Sequence, residues 1–351
     1  MTNVALIGLG HAARAIWTPA LARIPDTVLV AGADPDTSAQ IAWSRLAPSA
    51  ALHSSVDELL QCHQTIDWLV IATPPDHHLG PLLTGLEAGC HVLCEKPLVS
   101  SEGDLELITE AATRADRTVA VNHEFTRMPI FEKTLTRLRE GDHGSLRFAQ
   151  LWQVVEDSAL IGWRSRGQTL REFGTHAIDI LLSAFGGPPE TVSARMPQPL
   201  EGRDGDPIDI VTLEWANGRA GHIVLDRVSP GHHRYLEARF DCAQASLRAS
   251  IGGRAAITVG LDAPSRRPKL QLDVAAGGLA WVEEGSQRTV FARNGLHALV
   301  EATALLTEET FVATRNKSPA PCSLVRARDV LRVIEGAYRS ARTDRVVRIE
   351  S

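Results

Sequence analysis

The chain opens on an unbroken apolar run, Val4-Ala5-Leu6-Ile7, too short for a helix and without the alternation of a half-exposed strand. Such a run reads as a strand covered on both faces. Residues 12–21 then carry Ala, Ile, Trp and Leu densely enough for a packed helix, and residues 28–33 read as a second buried strand. The alternation continues with strands at 68–72, 91–94 and 118–121 and helices at 81–88 and 101–114, the last opening on a capping-box-like Ser101-x-x-Asp104. Strand and helix in turn predict a parallel sheet with right-handed crossovers. Beyond residue 145 the pattern changes. Strand-like runs follow one another at 145–155, 191–196, 208–215, 221–228 and 235–242, with more toward 291, and helical periodicity returns only at 170–185, 296–315 and 324–342. Consecutive strands with few helices predict an α+β domain built on an open, mostly antiparallel sheet.

The turn after the first strand carries chemistry. Gly8-Leu9-Gly10-His11-Ala12-Ala13 follows the strand at once. Gly8 permits a tight strand-to-helix turn, Gly10 leaves room for a pyrophosphate beside the backbone, and Ala13 still allows close helix–strand packing. The phosphates would lie against His11 and Ala12 at the helix start, on its N–H groups and positive dipole end. The second strand ends at Asp34, near the spacing of a carboxylate that holds an adenosine ribose. Residues 1–122 therefore read as an α/β Rossmann domain, and 123–351 as a second domain for substrate binding and oligomerisation. Asp34 is followed by Pro35, Asp36 and Thr37 with no adjacent Arg or Lys, which favours NAD over NADP.

Composition narrows the partners. A formal charge of −6 over 351 residues, with no basic run, argues against nucleic acid. No apolar stretch approaches the ~20 residues of a membrane span, and the first residues enter a core strand rather than a signal peptide. Cys62, Cys90, Cys94, Cys242 and Cys322 are few and scattered, which suits free thiols and a cytoplasmic location. The neighbouring pairs His77-His78 and His232-His233 would point in different directions with no third ligand evident, so no metal is expected.

The strand at 68–72 runs into Thr73-Pro74-Pro75-Asp76-His77, a stiff loop where Thr73, Pro74 and His77 would border the cofactor. The next ends at Glu95-Lys96-Pro97. In an open α/β sheet, ligands bind outside the carboxyl ends of the strands, so Lys96 would emerge beside the nicotinamide ring with Glu95. A lysine ammonium there can hold the oxygen of an alcohol or carbonyl during hydride transfer. In the second domain, Leu170, Phe173, Ala177, Leu181 and Phe185 form an apolar stripe on the helix at 170–185. Glu172, His176, Asp179 and Ser183 form the opposite one, which places a carboxylate one turn from an imidazole able to exchange a proton near neutral pH. By periodicity alone, an ordinary solvated helix face is the stronger reading of that polar stripe.

Together these segments, with VIATPPDHH, GLEAGCHVLCEKPL and the final RVIEGAYRSARTDRVV, resemble the Gfo/Idh/MocA oxidoreductases, relatives of glucose–fructose oxidoreductase and inositol dehydrogenase. The resemblance runs over nearly the whole length. It implies NAD(P)-dependent redox chemistry on a sugar, cyclitol or derivative, in a homodimer or homotetramer built through the second domain's sheet. Lys96 and His176 match the family's catalytic pair. Glu172 stands where the family usually has Asp, one methylene shorter, or in some branches a small residue. Asn122-His123-Glu124-Phe125, followed by Thr126, Arg127 and Pro129, is similar to a stretch that some members carry at the domain junction. It implies Asn122 beside the nicotinamide and Glu124 or Arg127 facing substrate. Trp163 and Arg164 would line the polyol pocket. Three activities stay open: a dehydrogenase, an enzyme whose tightly held NAD serves transient oxidation during epimerisation, elimination or glycoside cleavage, and a non-catalytic dinucleotide-binding subunit.

Overall fold

The computed structural model describes residues 1–350 apart from 156–167, 201–204, 231–233, 253, 263–266 and 276, with the backbone alone at 234, 254–262 and 267–275. Two compact units divide it: Met1–Arg127 with Leu299–Tyr338 and Ile349–Ser351, and Met128–Ala298 with Arg339–Arg348.

In the first unit, β1 (Thr2–Ile7), β2 (Thr27–Ala33), β3 (Ala51–His53), β4 (Trp68–Ile71), β5 (His91–Cys94) and β6 (Val119–Val121) form one sheet in the order β3-β2-β1-β4-β5-β6. Every pairing is parallel. This is the doubly wound order in which the chain reverses beside β1, so ligands gather at the carboxyl ends of β1 and β4. The strands are mostly apolar because helices cover both faces: α1 (Thr18–Leu21), α2 (Thr37–Ser44), α3 (Val56–Cys62), α4 (Leu79–Glu87) and α5 (Glu102–Ala115). Ser101 caps α5 by accepting a hydrogen bond from the Asp104 N–H at 3.1 Å, as its Ser-x-x-Asp start predicts.

The boundary expected at residue 122 lies near the end of the first unit's leading segment, Met1–Arg127. Helices α8 (Ala298–Arg315) and α9 (Leu324–Thr343) lie mostly within the first unit. Val300, Ala304 and Phe311 join the core made by Val4, Leu6, Trp17 and Trp68, and Ala327 and Leu331 join the one on Ile7, Leu69 and Val92. A parallel sheet needs cover on both faces, and here the chain returns to supply it.

The second unit rests on a nine-stranded sheet of β7 (Leu146–Val154), β8 (Thr191–Arg195), β9 (Ile208–Trp215), β10 (Arg219–Asp226), β11 (Arg234–Cys242), β12 (Ser246–Ile251), β15 (Gly278–Glu284), β16 (Gln287–Asn294) and β17 (Val347–Arg348). The hairpin β13 (Arg254–Asp262) and β14 (Arg267–Ala275) stands apart from it. All pairings in the large sheet are antiparallel except β7 with β10. The helix α6 (Pro129–Glu140) was not anticipated; proline begins it and Gly141, at φ 74°, ends it. A π-helical turn, Leu170–Gly174, leads into α7 (Thr175–Phe185), whose Phe185 stacks on Trp215 at 4.0 Å. Among the described residues no helix is long and apolar enough to cross a membrane.

Candidate functional site

Five strand ends of the first unit lie side by side along one edge of its sheet, and each presents an anticipated residue. Gly8 follows β1 with φ 84°, and a Cβ there would stand 2.7 Å from the Thr73 nitrogen, so only glycine fits. At Gly10 a Cβ would meet no atom within 4 Å; the missing side chain leaves open space beside the backbone. The helix that follows begins with a π-turn at Ala13–Trp17 and has no side-chain cap, so its N–H end is dressed by no neighbouring oxygen of that kind. His11 is exposed and Ala12 half-buried at this start. These features fit a dinucleotide's pyrophosphate. Arg14, which the sequence reading passed over, donates from Nε to the Gly10 carbonyl at 3.2 Å and holds the turn.

Asp34 ends β2 against the same turn. Its Oδ2 accepts the Leu9 N–H at 2.7 Å and its Oδ1 the Asp36 N–H at 2.8 Å. Two backbone donors thus fix the carboxylate while leaving it further lone pairs for a diol. The pair of strands β1 and β2 and the glycine turn are consequently one hydrogen-bonded piece.

Glu95 and Lys96 end β5. Glu95 is gripped from three sides: Oε1 accepts Trp17 Nε1–H at 2.8 Å and Asn122 Nδ2–H at 3.1 Å, and Oε2 accepts the Lys96 N–H at 3.2 Å. Asn122, 1% exposed at the end of β6, is therefore first a tether for Glu95. Trp17 was legible only as a core residue; its indole N–H joins the helix after the glycine turn to the strand that carries Lys96. Lys96 itself is half-buried, and its peptide bond to Pro97 is cis.

His78 ties the loop after β4 to the segment after β5, while the neighbouring His77, expected to border the cofactor, is exposed. His78 is fully buried, with Nε2 2.9 Å from the Thr73 carbonyl and Nδ1 at 3.0 and 3.1 Å from those of Pro97 and Leu98. Burial pushes this imidazole below its ordinary pKa, against the three carbonyls and the Glu95 charge, which pull the other way. Thr73 in turn donates from its hydroxyl to the His77 carbonyl at 3.1 Å, and Pro74 starts the short helical turn Pro75–His77.

At the end of the edge, Glu124 is buried in the turn Glu124–Arg127, and Arg127 donates from Nε to Glu309 at 2.7 Å. Arg127 thus has an ion-pair partner on α8, contributed from 182 residues away in sequence.

In the second unit, the polar stripe is not a solvated face. Glu172, His176 and Asp179 are 9%, 3% and 2% exposed, as deeply set as the apolar stripe across the helix. Burying three ionisable groups on one helix is costly unless each is paired, and sites of that kind are where chemistry concentrates. Trp163, Arg164, His232 and His233 lie outside the described residues.

The comparisons with known proteins agree with this arrangement. Residues 2–123 match an oxidoreductase family with an NAD-binding Rossmann fold, and residues 131–248 match the GFO/IDH/MocA C-terminal domain. A levoglucosan dehydrogenase of Pseudarthrobacter phenanthrenivorans is 24% identical over 289 residues, 70% of this chain and 72% of the relative. An inositol 2-dehydrogenase of Leifsonia xyli subsp. xyli is 27% identical over 227 residues, 62% of this chain and 65% of the relative. Oxidoreductase P35 of Formosa agariphila is 26% identical over 195 residues, 52% of this chain and 60% of the relative, so the matches span only part of the relatives' length. Among solved structures, levoglucosan dehydrogenase in complex with NADH and levoglucosan superposes with a TM-score of 0.81 at 18% identity, covering 100% of both chains. GenD2 from gentamicin A biosynthesis, in complex with NAD, gives 0.80 at 21% identity, covering 100% of this chain and 97% of its own. At such identities the likeness is one of fold. The two domain matches, which together span more than half of the sequence and meet the fold and the glycine turn described above, place this chain in the GFO/IDH/MocA oxidoreductase family.

Proposed function

We propose that the protein is an NAD-dependent dehydrogenase acting on a hydroxyl carbon of a sugar, a cyclitol or a derivative. The observation that carries this reading is the shared edge of the first unit, where Lys96 stands in line with the glycine turn and Asp34. The activities of two relatives, on levoglucosan and on inositol, support the polyol class.

When bound, NAD supplies the electron-pair acceptor for a hydride leaving the alcohol carbon. Gly8, Gly10, His11 and Ala12 would receive its pyrophosphate, Asp34 its adenosine ribose, and Thr73, Pro74, His77, Glu95 and Asn122 would border its nicotinamide end. The Lys96 ammonium donates a hydrogen bond to the reacting oxygen and stabilises alkoxide character there. His176 takes the hydroxyl proton, and Glu172, four residues earlier, orients the imidazole. Glu124, Arg127, Trp163 and Arg164 are assigned to substrate contact. The active form is a homodimer or homotetramer, and size-exclusion chromatography with light scattering reads it directly.

Turnover of a panel of hexoses, inositols and sugar acids, followed by absorbance of the reduced cofactor, tests the assignment. Lys96→Ala and His176→Ala should each lower kcat/KM by about a hundredfold or more. Activity retained by both variants would overturn it. Cofactor choice is tested separately: a 2′-phosphate against Asp34 should weaken NADP relative to NAD by about 2–4 kcal/mol, or roughly thirty- to a thousandfold. Asp34→Ala should weaken NAD and narrow that gap. Equal affinities in the unaltered protein would remove the ribose role of Asp34.

A further inference from the structure

We propose that Asp206 and Asp209 share one proton, held on Asp209, and that the pair is a positioning device for the helix that carries His176. The inference rests on the proton-acceptor role of His176 set out above.

Strand β9 reads Ile-Asp-Ile-Val-Thr-Leu-Glu-Trp, and its alternation turns Asp209, Val211, Leu213 and Trp215 to the buried side. An acid thus occupies a position whose neighbours along that face are all apolar. Asp209 is 0% exposed, and among the described residues neither of its oxygens accepts a hydrogen bond from an N–H or hydroxyl donor. Among the described residues, the charged groups that face it are the Asp206 carboxyl, within hydrogen-bonding range, and the Arg227 guanidinium. Asp206 and Arg227 are themselves 5% and 4% exposed.

Charge and hydrogen bonding decide where the proton lies. Among the described groups, two ionised carboxylates beside one guanidinium would bury an excess negative charge, which a single proton removes. Asp206 already accepts two backbone donors, the Thr169 N–H at 2.7 Å on Oδ1 and the Leu170 N–H at 3.2 Å on Oδ2, so the proton falls to its partner. Asp209 has no such donor and carries the proton, which it donates to Asp206. Burial and the Asp206 charge push its pKa up to about 10, in the same sense.

The destination of this network is a helix start. Thr169 and Leu170 open the π-turn that holds Glu172 and runs into His176. Arg227 donates to the Thr169 hydroxyl at 3.1 Å and lies over the Phe173 ring at 5.7 Å. Asp206, 36 residues downstream of Leu170, therefore caps a helix whose own Thr169 side chain makes no capping bond. The acid pair and Arg227 fix where that helix begins, and so the place of the imidazole further along it.

Infrared spectroscopy at pH 7 should show the carbonyl stretch of a protonated carboxylic acid that disappears in Asp209→Asn. Because Asn donates as the protonated acid does, Asp209→Asn should keep the melting temperature and leave kcat and KM within about twofold. Asp206→Ala, which deletes the cap, should lower kcat by about tenfold to a hundredfold while NAD affinity, measured by titration, stays within twofold. The infrared band and the melting comparison decide the shared proton whether or not any polyol is turned over, so a failed dehydrogenase assignment remains distinguishable. No protonated-acid band at pH 7, or a loss in Asp209→Asn as large as that in Asp206→Ala, would overturn the proposal.

Discussion

The two units hold their polar residues in opposite ways. In the first, the groups along the sheet edge are fixed by short loops and backbone donors, as Leu9 and Asp36 fix Asp34. In the second, Glu172, His176 and Asp179 lie on a buried helix whose start is secured by Asp206 and Arg227, which flank strands distant in sequence. The difference teaches that a parallel sheet delivers a ligand edge through its topology, whereas an antiparallel sheet must build polar positions into its core and satisfy them across long sequence separations.

Breaking the first kind of support should be severe where the backbone itself is involved. Gly8→Ala places a Cβ at positive φ and 2.7 Å from the Thr73 nitrogen, and should destabilise the protein by about 2–5 kcal/mol with loss of NAD binding. Thermal melting with and without NAD checks both effects. Next in size comes the loop clip. His78→Phe keeps the ring's bulk but removes the one ring N–H that serves either the Thr73 carbonyl or those of Pro97 and Leu98, which should cost about 1–3 kcal/mol by urea unfolding. A larger fall in kcat than in NAD affinity would place the effect at Lys96; equal melting of variant and parent would remove the clip from the support of this edge.

A smaller loss, about 1–2 kcal/mol, is expected for Trp17→Phe, since Glu95 keeps its bond from Asn122 when the indole donor is removed. Smallest should be a pH effect. Burial lowers the folded-state pKa of His78, so the unfolded chain takes up the proton first. The stability this group confers is fully present above the ordinary imidazole value of about 6.5 and is lost as pH falls through it toward the folded value. Urea midpoints between pH 7 and 5 should therefore fall less steeply in His78→Phe than in the parent. An identical slope would assign that pH dependence to other groups.

Much of the first unit was legible because its signals are local. The run Val4–Ile7, the two glycines and Asp34 lie within one strand–helix–strand passage, and the turn conformation that Gly8 adopts is one that few other residues tolerate. The return of α8 and α9 to cover that sheet was not legible, because their periodicity states that they bury a stripe but not against what. The polar stripe of the helix at 170–185 was likewise visible, yet its spacing fitted a solvated face; burial was decided by the nine-stranded sheet beneath it. Nor did His78 stand out from His77, since adjacent residues differ only in which way the loop turns them.

The sequence alone determined the alternating order of the first unit, the strand-rich character of the second, and the residue types able to hold a dinucleotide and move a proton. These follow from hydrophobic period and backbone preference, which act over a few residues. Only the tertiary structure decided that Trp17 and Asn122 grip Glu95, that Arg127 pairs with Glu309, and that Asp206 caps the helix of His176. Each of these joins groups separated by at least 27 residues, and such pairs are selected by burial, where an unsatisfied donor or charge is penalised wherever in the chain its partner arises.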